Sequence, residues 1–530
     1  MSKFNQTKVR AAATAVGPIK TKARKTTVTH EGAEAHIRDK RSELFLLAVA
    51  NFVGENTFYE SADTRDTRFR DLIANRAVKD GDWTAELLAW MRGPEGNMRS
   101  ASLVGAAEFV KARLDAGIHG GNRQAINSVL QRADEPGEFL AYWMSRFGRK
   151  LPMSVMRGVG DAATRLYNER SLLKYDTASH GFRFADVLEL CHPPKFTPKQ
   201  GDLFQHAIDR RHNRDNAIPE SLTMLHANAA FKQVTSAAID GAAARGDLAD
   251  AVAKAGITWE QLGSFGAWNA DRWEAMIPSM GYMGLLRNLR NFDEAGVSDK
   301  IAAQVAAKLA DPAEVAKSRQ FPFRFLSAYE AAPSLRWGHA LDQALGHSLR
   351  NLPVLPGRSL ILIDTSGSMQ NSVSGKSQMQ MVKAAAVFGV ALGVRNAAGA
   401  DIYGFASGEF KHNVQAGASA MREIDRFIHR VGEVGHGTDI AGAVRRQYNG
   451  HDRVFIISDM QTCSPQITAG VPLNVPVYGF NLYGYRPAAF ELGANRHEFG
   501  SLTDSTFKLV PLLEAGTDGG WPWQNGDQAA

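Results

Sequence analysis

Between residues 42 and 352 apolar positions recur three and four residues apart, and strict alternation is nearly absent. That spacing predicts amphipathic helices and argues against strands. Residues 42–53 (SELFLLAVANFV) open on a serine suited to cap a helix, followed by an apolar run. Further helical segments are expected at 83–91, 101–114, 124–132, 138–147, 184–191, 202–210, 221–231, 248–255, 273–289 and 301–309. The linkers carry Gly, Pro, Asn and Asp, which end helices and form turns. So many helices in sequence bury their apolar faces economically as stacked pairs, in a degenerate HEAT-like array. This predicts an all-α helical-repeat domain over 31–352.

Near Arg358 the pattern changes. Residues 359–363 (SLILI) are a short apolar run ending at Asp364, and 378–394 is an Ala-rich helical stretch. Strands are expected at 401–405, 453–458 (RVFIIS) and 475–480, and helices at 418–431, 439–448 and 505–513. Strands alternating with helices predict a parallel sheet covered on both faces. The second domain is therefore α/β and spans 358–515. Residues 516–530 are Gly-rich and polar, and read as a flexible tail.

Composition changes this picture little. At 530 residues the chain suits two or three domains; 44% hydrophobic and 22% charged residues are ordinary for a globular protein. No apolar run reaches the length of a membrane span. The two cysteines, Cys191 and Cys463, form no metal or disulfide pattern, and a reducing cytoplasm suits them. Net charge is +6, and its placement is informative. Lys3, Lys8, Arg10, Lys20, Lys22, Arg24 and Lys25 all precede the first acidic residue. Residues 1–30 are expected to form a flexible basic arm, suited to solubilising the chain or touching phosphates.

The sharpest chemical signal is Asp364-Thr365-Ser366-Gly367-Ser368, between an apolar strand and a helix. This D-x-S-x-S run is the pattern of a metal-ion-dependent adhesion site. Magnesium takes oxygen ligands in an octahedron and keeps some waters. One carboxylate and two hydroxyls at i, i+2 and i+4 can converge on one ion at a strand's C-terminal edge. Thr438, in Gly435-His436-Gly437-Thr438-Asp439, and Asp459, closing the strand RVFIIS, stand where two further loops would complete the set. Helix capping explains one such hydroxyl, not three loops in order. In this pattern the second domain resembles a von Willebrand A-type domain. Asp364, Ser366, Ser368, Thr438 and Asp459 are its expected ligands for a divalent cation, magnesium by preference. One position is left for an anionic oxygen from a partner.

Catalytic motifs are missing. There is no G-x-S-x-G elbow to activate Ser366 and no P-loop. Gly158 to Ala163 imitates a dinucleotide fingerprint without a preceding strand, and reads as a helix entry. A single hydroxyl-rich metal site lacks the carboxylate-rich pair that phosphoester hydrolysis prefers. The chain is therefore not expected to be an enzyme.

Several segments resemble the Ro autoantigen family of TROVE-domain proteins. They are Thr57-Phe58-Tyr59-Glu60-Ser61-Ala62-Asp63-Thr64-Arg65, Leu88-Ala89-Trp90-Met91-Arg92 with Asn97-Met98-Arg99, and Ala163-Thr164-Arg165-Leu166-Tyr167-Asn168-Glu169. Lys174-Tyr175, Asp186-Val187-Leu188-Glu189-Leu190-Cys191-His192-Pro193 and Met283-Gly284-Leu285-Leu286-Arg287-Asn288-Leu289 extend the likeness. The resemblance implies a monomeric HEAT-like helical ring closed by the A-type domain. It implies binding of misfolded or structured RNA ends at a basic central hole, and of small non-coding Y-like RNA on the outer surface. It also implies work beside an exoribonuclease in RNA quality control, maturation or decay. The Y-RNA contacts of the family match best at Lys174 and His192. Tyr175, Arg183 and Lys195 add charge and a stacking ring nearby, and Arg146, Arg149 and Lys150 cluster at a helix end. A competing expectation is a protein-interaction module whose metal grips an acidic side chain of a partner such as an ATPase.

Overall fold

The computed structural model describes residues 15–50, 52–177, 181–375, 377–415 and 417–524. Twenty α-helices follow one another from Lys40–Val49 to Leu335–Ser348 among these residues. The expected helices 184–191 and 248–255 occur as Phe184–Cys191 and Leu248–Ala255. The first helix, Lys40–Val49, is capped by Asp39, whose side chain accepts the Ser42 N–H. Ser42 is not the cap; it is buried and its hydroxyl accepts the Lys20 N–H at 2.8 Å. The stretch expected as one helix over 273–289 is broken at Pro278 into Ala270–Met276, a short 3-10 turn and Tyr282–Glu294.

The helical body closes on itself. Asn97 donates to the Arg319 carbonyl at 2.6 Å, and Arg319 donates to Gln131 at 2.6 Å and to the Arg92 carbonyl at 3.3 Å. The Phe52 and Phe321 rings meet edge to face, 6.2 Å apart.

The second domain holds a six-stranded sheet. Its strands are β3 (Ser359–Asp364), β4 (Ala400–Phe405), β5 (Glu409–His412), β6 (Arg453–Ser458), β7 (Val477–Asn481) and β9 (Arg496–Phe499). Three strands outside this sheet are β1 (Thr21–Val28), β2 (Glu34–Arg38) and β8 (Pro487–Ala488). The sheet order is β5-β4-β3-β6-β7-β9, with β5 antiparallel and the rest parallel. Every residue of β3 and β6 is buried, as continuous apolar runs in a covered parallel sheet should be. The chain leaves β3 for β4 on one side and returns to β6 on the other. The C-terminal edge between β3 and β6 is thus the switch point at which open α/β sheets bind ligands.

Both expected flexible ends need correction. Residues 1–14 of the basic arm, with Lys3, Lys8 and Arg10, lie outside the described residues. Beyond them, β1 and β2 form a hairpin whose second strand pairs with β8. Backbone pairing fixes a segment whose side chains, including Lys22, Arg24 and Lys25, have little apolar content. Arg38 anchors the hairpin through a buried ion pair with Glu498. In the expected tail, Trp521 is buried against Phe45 and Trp83, with ring centroids 5.2 and 5.1 Å away. Residues 525–530 lie outside the described residues.

Candidate metal site and basic cavity

Three loops meet at the β3–β6 edge. In the first, Asp364 Oδ1 accepts the Ser366 N–H at 2.8 Å, and Oδ2 accepts the Ser458 hydroxyl at 2.5 Å. The Ser366 and Ser368 hydroxyls lie 3.2 Å apart. The second loop is tied to the first by the Gly367 N–H, which donates to the His436 carbonyl at 2.9 Å. Gly435 turns it at φ +86, where a Cβ would lie 2.9 Å from the Ser407 hydroxyl. Thr438 follows, buried, while Asp439 caps the helix Ile440–Gln447 and pairs with Arg446. In the third loop Asp459 Oδ1 accepts the Gln461 N–H at 2.9 Å.

Asp364, Ser366, Ser368, Thr438 and Asp459 are all at most 3% exposed. Asp459 Oδ2 is buried without a hydrogen-bond partner. Burial, then the neighbouring Asp364, push the Asp459 carboxyl up to about 8. Burial likewise raises Asp364, against the pull of its serine donors. Two buried carboxyls that resist ionisation together, beside three hydroxyls, are reconciled by a hard cation. The orphaned Asp459 oxygen and the all-oxygen donor set fit magnesium. Among the described residues no cluster of three His, Cys, Asp or Glu side chains could hold a metal, so hydroxyl ligands are essential to the fit.

The rim of this site was not read from the sequence. The Tyr483 hydroxyl donates to the Ser368 carbonyl at 3.1 Å, and the Tyr483 ring stacks on Tyr485. Tyr59, from the body, lies edge-on to Tyr485 at 5.5 Å. The Tyr59 segment did mark itself in the sequence, but nothing local tied it to loops some 400 residues away in the chain (for its backbone bond to Tyr485, a separation of 426).

The expected RNA residues are dispersed. Lys174 and Tyr175 end the helix Glu169–Tyr175, the Lys174 ammonium standing 5.1 Å from the Tyr175 ring centre. His192 and Lys195 are exposed after the helix Phe184–Cys191, His192 holding a left-handed φ of 45. Arg149 and Lys150 are exposed, and Arg146 pairs with Glu108 at 3.2 Å. Arg183 differs from expectation: it is held in an ion pair with the fully buried Asp176 at 2.7 Å, which fixes the start of its helix and occupies its guanidinium.

Of these residues, Lys174 alone lines a cavity of about 830 Å³ formed by the helical body. Arg170, one helical turn before it, joins it there, with Arg287, Lys308 and Lys317 from later helices. Glu260 and Glu314 are the acidic lining residues. Lys317 pairs with Glu314 at 3.7 Å, while Arg170, Lys174 and Arg287 have no ion-pair partner among the described residues. Arg287 also depresses the Arg324 guanidinium, after burial, as like charges do. Trp259 and Tyr282 add rings to the lining. Arg287 lies within the LLRNL match, the one sequence signal for this second wall.

A closed array of helices carrying an α/β domain of von Willebrand A type is the class that fold and site define. The crystal structure of the Deinococcus radiodurans Ro (Rsr) protein has the same fold, with a TM-score of 0.60. It is 18% identical and covers 90% of this chain and 100% of that one. Residues 251–357 match the TROVE domain family. Telomerase protein component 1 of Mus musculus and of Rattus norvegicus are each 38% identical over 80 residues, 15% of this chain. The matched stretch is 3% of each relative's length. The resemblance to TROVE-domain Ro proteins read from the sequence therefore holds, as does the expected fold class. Among the described residues no helix is long and apolar enough to cross a membrane.

Proposed function

We propose that this chain is a non-enzymatic RNA-binding protein that takes single-stranded RNA ends into the basic cavity. The observation that carries this reading is the set of Arg170, Lys174 and Arg287, cations without ion-pair partners among the described residues, around one cavity that also presents aromatic rings. Phosphates supply sequence-independent affinity to such a surface, and bases stack on the rings. Small Y-like RNA is assigned to the exposed His192 and Lys195 side, and the chain acts with an exoribonuclease in RNA quality control in the cytoplasm. A divalent cation, magnesium by preference, is held by Asp364, Ser366, Ser368, Thr438 and Asp459. There it would supply positive charge that ties three loops together.

The test is fluorescence anisotropy with a labelled single-stranded RNA against a blunt duplex, over a salt series. Replacing Arg170, Lys174 and Arg287 with Ala should weaken single-strand binding at least tenfold. It should also flatten the log–log salt slope by about 2, at roughly 0.7 for each phosphate no longer neutralised. Unchanged affinity and slope would overturn the cavity assignment. Sequencing of RNA crosslinked in cells tests the rest: a single small RNA lost on His192→Ala would support the outer-surface site.

A further inference from the structure

A second cavity, of about 450 Å³, shares a wall with the basic one. The helix Glu169–Tyr175 gives Arg170 and Lys174 to the first cavity and Leu173 to the second. The helix Trp259–Gly263 likewise gives Trp259 and Glu260 to the first and Gln261 to the second.

Four cations line the second cavity, and they come from separate places in the chain. Arg183 stands at the start of the helix Phe184–Cys191, and Arg210 lies in the last turn of Pro198–His212. Arg214 follows that helix, and Lys232 follows Thr223–Phe231. One acid, Asp176, lines the cavity with them. Its carboxylate is taken up locally, accepting Arg183 at 2.7 Å and the Phe184 N–H at 3.0 Å. Arg210 approaches it only to 3.6 Å. Arg214 and Lys232 have no side-chain partner among the described residues. Burial, then the charge of Arg210, lower the Lys232 ammonium, as a like charge nearby does.

Folding gives no reason for this excess. Asp176 with Arg183 suffices to fix the local turn, whereas Arg210, Arg214 and Lys232 add positive charges that repel one another. A bound anion removes that repulsion. A phosphodiester carries a single charge, less than three cations call for. A phosphate monoester carries about −1.5 to −2 near neutral pH and presents three acceptor oxygens. Guanidinium groups meet such oxygens in pairs. Gln261 spends its side-chain oxygen on the Thr258 N–H at 3.0 Å, so it offers the cavity only N–H donors.

We propose that the second cavity binds a phosphate monoester through Arg210, Arg214 and Lys232, and that this ligand is the terminal phosphate of an RNA strand lying in the neighbouring cavity. The anion site stands on its own charges; only the RNA source rests on the function proposed above. The chain thereby distinguishes a phosphorylated RNA end from a hydroxyl end. The cations of the first cavity, which meet phosphodiesters, do not make that distinction.

Two measurements on the full chain test this. Inorganic phosphate is titrated by calorimetry into the unsubstituted chain and into the double variant Arg214→Gln, Lys232→Gln, whose folding is checked by circular dichroism. Fluorescence anisotropy then compares one internally labelled single-stranded RNA bearing a 5′-phosphate, a 3′-phosphate or hydroxyls at both ends. Phosphate should bind the unsubstituted chain and bind the double variant about tenfold or more weakly. One phosphorylated RNA should be preferred by a similar factor, and the double variant should lose that preference while holding the hydroxyl-ended RNA as before. Absence of phosphate binding, or equal binding by the double variant, would overturn the anion site. Phosphate binding with equal affinity for all three RNAs would overturn the terminal-phosphate assignment. If none of the three RNAs binds, the RNA reading itself fails, and the phosphate titration still decides the anion site.

Discussion

His497 sits in β9 within the α/β domain, 2% exposed, its ring stacked on Tyr478 at 5.3 Å. Burial, and then Arg496, lower its pKa to about 4, and its Nδ1 has no hydrogen-bond partner. The folded chain therefore keeps this imidazole neutral at a pH where the unfolded chain protonates it. Its contribution is complete above about 6.5 and is lost as pH falls toward about 4, at roughly 1.4 kcal/mol per pH unit. His497→Phe keeps a flat ring for Tyr478 but cannot take a proton. Its denaturant-unfolding stability should fall less steeply than that of the unsubstituted chain between pH 6.5 and 4, and parallel curves would refute the assignment. At this scale the meeting of Asp364, Ser366, Ser368, Thr438 and Asp459 was legible because their loops follow one another in the chain around one sheet edge. The cavity cations were not. Arg183 and Arg287 look alike in sequence, yet one meets the buried Asp176 and the other faces a cavity. Only the placement of distant helices decides which guanidinium is spent on a carboxylate.

Helix contacts explain the glycines that imitate a nucleotide fingerprint. Gly158 lies inside the helix Met153–Leu166, not at its entry. A Cβ there would sit 2.9 Å from the Arg123 carbonyl and 2.9 Å from Ile126 Cβ, so its absence lets this helix press against Asn122–Val129. Gly158→Val should lower stability by about 1–3 kcal/mol through overpacking, read as a reduced thermal midpoint; an unchanged midpoint would show that the two helices separate freely. Elements with a dense apolar stripe were legible, and so were the buried strands. The helix Ala62–Lys79 escaped notice because Arg and Asp dominate it, although Phe69, Leu72, Ile73 and Ala77 form a narrow buried stripe. β1 escaped because six of its eight residues are exposed, so no alternation marks it. Its order comes from backbone pairing with β2, which no local pattern records.

Across the whole molecule, contacts of long sequence separation close the structure, and the sequence is silent about them. Arg319 joins helices near Arg92 and Gln131, Glu95 pairs with Lys508 at 2.9 Å, and Asp342 accepts the Ser419 hydroxyl at 2.8 Å. The apolar core of the later helices runs without a break into the α/β domain. The two candidate sites nevertheless remain separate. Every residue lining the basic cavity falls between Arg170 and Gln320, and none comes from the α/β domain. The five candidate metal-site residues, Asp364, Ser366, Ser368, Thr438 and Asp459, all come from the α/β domain. Sites that share no residue combine nearly additively. Asp364→Ala should therefore abolish Mg²⁺ binding while single-stranded RNA affinity stays within about twofold. Circular dichroism and the thermal midpoint would check that the variant is folded. An RNA affinity that collapses in a folded Asp364→Ala chain would mean that the cation shapes the cavity across the closed body, and the division of labour between the two domains would have to be abandoned.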